Sequence, residues 1–360
     1  MNSSIQIGRI MNIPIKLHIT FLLIIPVFAW IFANNPPMYG FADIEIISLR
    51  YILSFAAALF LFICVLLHEL GHSYIAKKYG TKIQGITLFL FGGVSSMEEI
   101  PRNPRVEFKM AIAGPLVSLF IGVVLIIIYM FFENDPSIAY YNRLIFLIGT
   151  LNIILFAFNL LPAFPMDGGR VFRAILAERM PYIKATRTAA NIGKMFAILM
   201  GIFGVLAGGV ILILIAFFIY IGASEEEKAT EVNVTLEGVK IKDIMSKDIV
   251  SVKPDMTVEE LVELMFRLKH MGYPVMDDTK IEGVVTFTDV QKVPKEVRKN
   301  VKVSQIMTKD IISLEEQDDV VNALKVMTLY NIGRIIIKNR DQTVGILSRT
   351  DILRSIQLLE

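Results

Sequence analysis

Residues 110–132 and 144–166 are each 23 residues long without a single Asp, Glu, Lys or Arg. A helix of roughly 20 apolar residues crosses the hydrocarbon core of a bilayer. Helices and closed barrels alone satisfy every backbone N–H and C=O in that medium. Runs of this length set the fold class before any motif is read, and other stretches agree with them. Residues 17–33 are shorter and interrupted only by His18, and residues 53–76 form another run. Residues 195–224 carry 30 uncharged positions, about 45 Å as one helix, which is long for one span and short for two. Gly208-Gly209 offers a turn there, so two short helices are expected, the first beginning near Arg187. The expectation is a polytopic α-helical membrane protein of about six transmembrane helices.

Composition supports this and limits the alternatives. Hydrophobic residues make up 54% of the 360, and the mean hydropathy is +0.59, which excludes an ordinary soluble protein. Charges are sparse before about residue 224 and dense after it, so an apolar half precedes a soluble α/β half. A net charge of +2 gives no reason to expect a nucleic-acid partner. The single cysteine, Cys64, excludes an internal disulfide. The N-terminus lacks a compact signal peptide with a small-residue cleavage site, so the first apolar run is read as a retained helix.

Basic residues give the orientation. Arg9 and Lys16 precede the first run, while Lys77, Lys78, Lys82, Arg102, Arg105 and Lys109 lie between the second and third. Arg170, Arg173, Arg179, Lys184 and Arg187 follow the fourth. Residues 34–45 and 133–143 are poor in Lys and Arg. The N-terminus and, with six helices, the C-terminal half are therefore expected in the cytoplasm, on a multi-pass protein of the cell membrane.

Within the second run stands HELGH, residues 68–72, preceded by 17 residues with no charge. Residues four apart share a helix face, so His68 and His72 can grip one metal. Glu69 points elsewhere, where it can hold a metal-bound water. Zinc bound by two His and a carboxylate keeps a fourth position open and lowers the pKa of its water to about 7. Glu69 would take that proton and return it to a leaving amine. Ionisable groups in an apolar span are expensive and usually functional. Two of the chain's four His fall here at ligand spacing. The third ligand is expected from NLLPAFPMDGGR, residues 159–170, where Asp167 sits just past an apolar run. His68 lies nine residues, about 14 Å, inside Lys77, and Asp167 likewise lies a little inside the boundary marked by Arg170. Pro162, Pro165 and Asp-Gly would also serve a plain helix terminus.

Cys64, one turn before His68, competes for the third position, but three ligands from one straight helix would strain a tetrahedron, and a lone buried Cys usually packs. His18 is read as structural or interfacial. ITLFLFGGVSSM, residues 86–97, is too short to span and is broken by Gly92-Gly93. It is read as a small hairpin or re-entrant strand beside the site, whose edge could pair with an extended substrate, or as a loop that covers the cavity. AGPLVS, residues 113–118, is read as small residues for close helix packing.

These paired motifs resemble the site-2 protease family of intramembrane zinc metalloproteases, archaeal type, over roughly residues 1–222. The family's second motif is NPxPxDG-like; here Asn159 is followed by two leucines before Pro162, and Met166 stands before Asp-Gly. The resemblance implies hydrolysis of peptide bonds in locally unwound transmembrane segments of substrate proteins. It also implies that Asn159 positions substrate or stabilises the oxyanion. A polar residue holding helices together is the plainer account of Asn159.

The second half repeats itself. Ile244-Met245 recurs as Ile306-Met307, and GVVTFTD at 283–289 recurs as GILSRTD at 345–351, both at an offset of 62. Each copy reads strand, helix, two strands, helix. The pair resembles a tandem CBS module, with a linker at 223–239 and repeats at 240–297 and 298–360. Through the resemblance, Thr286, Asp289, Ser348 and Asp351 are expected to bind the ribose and phosphate of an adenine nucleotide, ATP or AMP, and the module to pair as a homodimer. The same residues would cap the helices that follow them. The Glu run at 225–227 is read as solvated.

The leading expectation is thus a zinc endopeptidase with nucleotide regulation. A CBS-gated channel or transporter needs no Glu between two His. A catalytically inactive binder of membrane proteins would tolerate loss of Glu69.

Overall fold

The computed structural model describes residues 4–89, 92–97, 102–277, 280–340 and 342–359. The chain divides into two compact units, Met1–Thr230 and Glu231–Glu360.

The first unit opens with a hairpin that the sequence reading did not foresee. Strands β1 (Ser4–Ile10) and β2 (Ile13–His18) pair antiparallel around Met11 and Asn12, both at positive φ (55° and 64°). Positive φ at both central residues matches the right-handed twist of the flanking strands. His18 ends β2 and caps α1 (Ile19–Asn34), its Nδ1 accepting from the Thr20 amide. Helix α2 (Ile47–Lys78) carries HELGH, and its last turn holds Lys77 and Lys78, cations suited to a helix C-terminus. Strands β3 (Ile83–Phe89) and β4 (Gly92–Met97) form the expected hairpin, although residues 90 and 91 at its tip lie outside the described residues. β2 runs parallel to β3, giving one sheet of order β1-β2-β3-β4, with β4 at one end. The sheet rests on α2 through two apolar clusters. Ile13, Ile15 and Ile86 meet Leu70, and Leu88 meets Phe21 and Phe62.

Helix α3 (Pro104–Phe132) begins at an Asn103 cap with Pro at its first position, and α4 (Ala139–Asn159) packs along it. α4 stops at Asn159, and residues 160–166 turn irregularly with a cis Phe164-Pro165 bond before α5 (Asp167–Ala177). α6 (Tyr182–Leu206) and α7 (Val210–Thr235) are separated at Gly208-Gly209, with Gly208 at φ +68°, where the sequence offered a turn. Among the described residues, four helices are long and apolar enough to cross a membrane: α2, α3, the segment Pro136–Asn159, and α6. α1 has 16 residues, and α7 is apolar only until its three consecutive glutamates. Many outward side chains are large and apolar, including Phe131 and Leu206, each 81% exposed, as a lipid-facing surface requires.

The expected linker is helical: α7 continues through it to Thr235. Its Glu run is not simply solvated. Glu226 accepts from Arg173, and Glu227 from Lys194 at 2.6 Å. Only Glu225 is left with a long contact to Lys228, at 3.9 Å.

The second unit contains α8 (Ile241–Ile244), α9 (Val258–Leu268), β5 (Gly272–Asp277), β6 (Lys280–Thr286) and α10 (Phe287–Gln291). Then come α11 (Val303–Ile306), β7 (Ser313–Glu315), α12 (Val320–Leu329), β8 (Arg334–Asn339), β9 (Gln342–Ser348) and α13 (Arg349–Leu359). The leading strand expected in each copy is regular only as β7; its counterpart is a single bridge from Val252 to Val275. The copies exchange their leading segments. Ile241 is buried with Val320, Ile335 and Leu347 of the second copy, and Val303 with Val258, Val275 and Val285 of the first.

α9 is held by a reciprocal cap in which Thr257 Oγ1 accepts from the Glu260 amide and Glu260 accepts from the Thr257 amide at 2.8 Å. Thr257→Ala is expected to cost about 1 kcal/mol locally. In hydrogen exchange of the whole chain, protection in the first turns of α9 should fall roughly fivefold, while that of α12 stays unchanged.

Candidate metal centre

A 3.6-residue turn brings His68 and His72 to one face of α2, where both are buried (4% and 9% exposed). Asp167 opens α5, at the helix end whose dipole favours an anion. His68 Nε2 lies 3.2 Å from Asp167 Oδ2, His72 Nε2 lies 3.1 Å from the same oxygen, and the two Nε2 atoms are 3.1 Å apart. Among the described residues this is the one group of three or more His, Cys, Asp or Glu able to hold a metal ion.

The far side of each imidazole is fixed by α3. His72 Nδ1 meets the Met110 carbonyl oxygen at 2.7 Å, and His68 Nδ1 meets Ser118 Oγ at 2.9 Å. A carbonyl can only accept, so His72 carries a proton on Nδ1, and its neutral form turns the Nε2 lone pair toward Asp167. A nitrogen lone pair and a carboxylate oxygen at 3.1 Å repel one another unless a proton or a cation lies between them. A tetrahedral ion with bonds of about 2.0–2.1 Å has ligand edges near ~3.3 Å, and the observed triangle is close to that. The donor set, two imidazoles and one carboxylate, is one that catalytic zinc sites use with an open fourth position. The residues present therefore fit zinc.

Gly114 makes this approach possible. A Cβ built there would lie 2.1 Å from His72 Nε2 and 2.7 Å from His68 Nε2. Glu69, beside the first His, is half-buried and covered by the backbone of β4, since a Cβ on Gly93 would lie 2.4 Å from its Cγ. Ser73 and Ser95 bridge the same two elements at 3.1 Å. In the first turn of α5, Gly168 sits so close to the loop that delivers Asp167 that a Cβ would meet the Leu161 oxygen at 2.2 Å.

Sequence reasoning assigned AGPLVS to helix packing alone. The structure bears out the close packing and adds to it: Gly114 and Ser118, four residues apart on one face of α3, both abut the donor atoms or their rings. That i, i+4 pairing of a small and a hydroxyl residue in an apolar run was the available signal. Met110 acts through its carbonyl, which no side-chain pattern reveals. Cys64 lies outside the donor group and packs with Ala29, Phe32 and Leu147. Asn159 makes its one described side-chain bond back along its own helix, to Leu155 O at 2.9 Å. Thr286 and Asp289 close a capping box at 2.7 Å, and Ser348 and Asp351 an equivalent one at 2.6 Å.

The fold and the donor set define a membrane metallopeptidase. The model of peptidase family M50 matches residues 56–138 and 134–200, and the CBS domain model matches 241–296 and 303–358. A zinc metalloprotease of Methanocaldococcus jannaschii is 42% identical over 360 residues, 100% of this chain and 98% of its own. Rip3 of Mycobacterium tuberculosis is 28% identical over 373 residues, covering 99% of this chain and 94% of its own. The solved site-2 protease from Methanocaldococcus jannaschii shares 45% identity, covering 62% of this chain and 95% of its own, at a TM-score of 0.44. The chain belongs to peptidase family M50, the site-2 class of zinc metalloproteases, and carries a tandem CBS pair.

Because the donor atoms crowd Gly114, Gly114→Ala is expected to displace an imidazole and lower bound zinc at least tenfold, read as metal content after gel filtration. Ser118→Ala keeps the space but loses the ring's anchor, and should weaken zinc about 10–100-fold in chelator competition.

Proposed function

We propose that this protein hydrolyses peptide bonds within transmembrane segments of membrane proteins, with zinc held by His68, His72 and Asp167. The observation that carries the reading is the 3.1–3.2 Å triangle of their donor atoms, delivered by α2 and α5 at the base of apolar helices. Bound zinc would supply a Lewis acid and an ionisable water near pH ~7. Glu69, held under β4, accepts the proton of the attacking water and passes it to the leaving nitrogen, so both proton transfers use one carboxylate. β4, at the end of its sheet, offers main-chain groups to an unwound substrate strand. Asn159 begins the loop that carries Asp167 and is assigned to positioning the substrate. Leu155 O takes one of its two amide hydrogens, and the role uses the other. The N-terminus and CBS pair lie on the cytoplasmic side, where Lys77, Lys78 and Arg170 follow the site-bearing segments.

The CBS pair is proposed to sense adenine nucleotide. Burial alone would raise the Asp289 carboxyl, but donation from Thr286 and Lys292 outweighs it and holds the group below its usual value. It is therefore ionised at neutral pH. Each capping box uses Oδ2 of Asp289 or Asp351, and Asp289 Oδ1 also accepts from Lys292 at 3.1 Å, which still leaves lone pairs for ribose hydroxyls. Exposed Phe266, Leu329, Leu353 and Leu358 support pairing of two modules into a homodimer.

The test uses purified protein in detergent with a single-span substrate. Wild type should cleave, and a zinc chelator should abolish cleavage. Glu69→Gln should lose at least ~10²-fold in kcat while keeping its zinc. Cleavage surviving Glu69→Gln would refute the mechanism. ATP or AMP should change the wild-type rate, and Asp289→Ala with Asp351→Ala should remove that response without altering the basal rate. Equal rates with and without nucleotide would refute the regulation.

A further inference from the structure

Arg173 is buried (3% exposed) in the lower part of the first unit, six residues and about 9 Å along α5 from Asp167. Its guanidinium binds four elements at once. Nε donates to Glu107 Oε1 of α3 at 2.8 Å, and Nη2 donates to the same oxygen. Nη1 donates to Glu226 Oε1 of α7 at 2.8 Å and to Thr230 Oγ1 at 3.4 Å. The rings of Phe164, in the Asp167 loop, and Tyr182, at the start of α6, each lie 5.0 Å from its carbon. A planar fork clasped by two carboxylates and two rings fixes orientation as well as position.

The α7 side of this clasp is one stripe. Gly222, Glu226 and Thr230 recur at spacing four. A Cβ on Gly222 would lie 2.7 Å from Pro165 Cδ. Next to the stripe, Ile219 is buried with Ala163 and Met166, and Ala223 with Phe164. α7 thus bears on Ala163, Phe164, Pro165 and Met166 of the loop that leads to Asp167. Beyond the stripe the same helix runs on to Val232, which packs with Leu236 in the core of the second CBS repeat.

We infer that Arg173 is a positioning residue for Asp167, and that the Gly222/Glu226/Thr230 face of α7 sets, through Arg173 and Pro165, where the third ligand sits. This rests on the reading of Asp167 as a ligand. None of the described contacts of Arg173 is with the donor atoms. The residue acts by holding α5 and the loop in register with the helix that leads to the CBS pair.

The experiment measures zinc affinity by competition with a chromogenic chelator, together with kcat and KM on the single-span substrate, for the full-length protein in detergent. Glu226→Gln keeps size and removes one of the two carboxylate charges that Arg173 meets, the one on α7. Gly222→Ala adds one methyl against Pro165 and leaves every charge in place. Both are expected to weaken zinc about 10–100-fold and to lower kcat with KM within twofold. Glu227→Gln is the control, because its partners are Lys194 and Arg187 on α6 rather than Arg173. It should leave zinc affinity at the wild-type value. Wild-type affinity in both Glu226→Gln and Gly222→Ala overturns the inference, as does an equal loss in Glu227→Gln, which would mean general loosening of α7. Asp167→Asn separates the two readings. Zinc retained at wild-type affinity in that variant refutes the ligand assignment itself. Zinc lost there but unchanged in the α7 variants refutes only the positioning role.

Discussion

Three donor atoms from two helices, His68 Nε2, His72 Nε2 and Asp167 Oδ2, meet within 3.2 Å inside an apolar helix bundle, and much of the first unit follows from that demand. Polar groups removed from water are unfavourable unless each finds a partner. The rings cannot face lipid, so α3 closes over them. It can do so only because Gly114 has no side chain where the donor atoms lie, and because Met110 O and Ser118 Oγ receive the far nitrogens. Asp167 must arrive from a helix N-terminus, so α4 stops early and the chain turns through residues 160–166. Irregular backbone at membrane depth is tolerated where protein surrounds it, and here α6 and α7 do so through Ala163, Phe164 and Met166. The sheet has the complementary role. It packs on Leu70 and Phe62 and lays β4 over Glu69.

The CBS pair solves a different problem. Each repeat alone lacks a full core, and each obtains one from the other's leading segment. Gly283 abuts the Met307 sulfur and Gly345 the Met245 sulfur in matching fashion. Neither copy is therefore an independent unit, because each packs on a core that both build.

The apolar spans, the repeat and the convergence of His68 and His72 were legible because they rest on short-range rules: absence of charge over a bilayer's thickness, a fixed offset, and spacing on one helix face. Asp167 was legible because its depth could be reckoned from Arg170. What was missed depends on packing between distant segments. Ser4–Ile10 and Ile13–His18 alternate apolar residues around Met-Asn, but the pattern is short and lies beside an apolar run that drew the reading. Gly114 and Ser118 looked like helix-packing residues because they are small. Their relation to His68 and His72 exists only once α3 lies on α2. The Glu run looked like a solvated linker because its partners, Arg173 and Lys194, stand 53 and 33 residues away.

That last misreading bears on the proposed regulation. A flexible, solvated linker would let the CBS pair move without consequence for the protease, since a random coil transmits little force or orientation. α7 is instead a 26-residue helix whose glutamates are engaged before it leaves the first unit. A ligand shifts an equilibrium only by as much as it favours one state over the other. Were the proposed regulation to run through this helix, the two states would differ at residues it touches, among them Pro165, Phe164 and Arg173, next to the proposed third ligand. Coupling through this helix needs no long relay of side chains. It needs only that a turn or shift of α7 be felt by a loop too closely packed against it to stay behind.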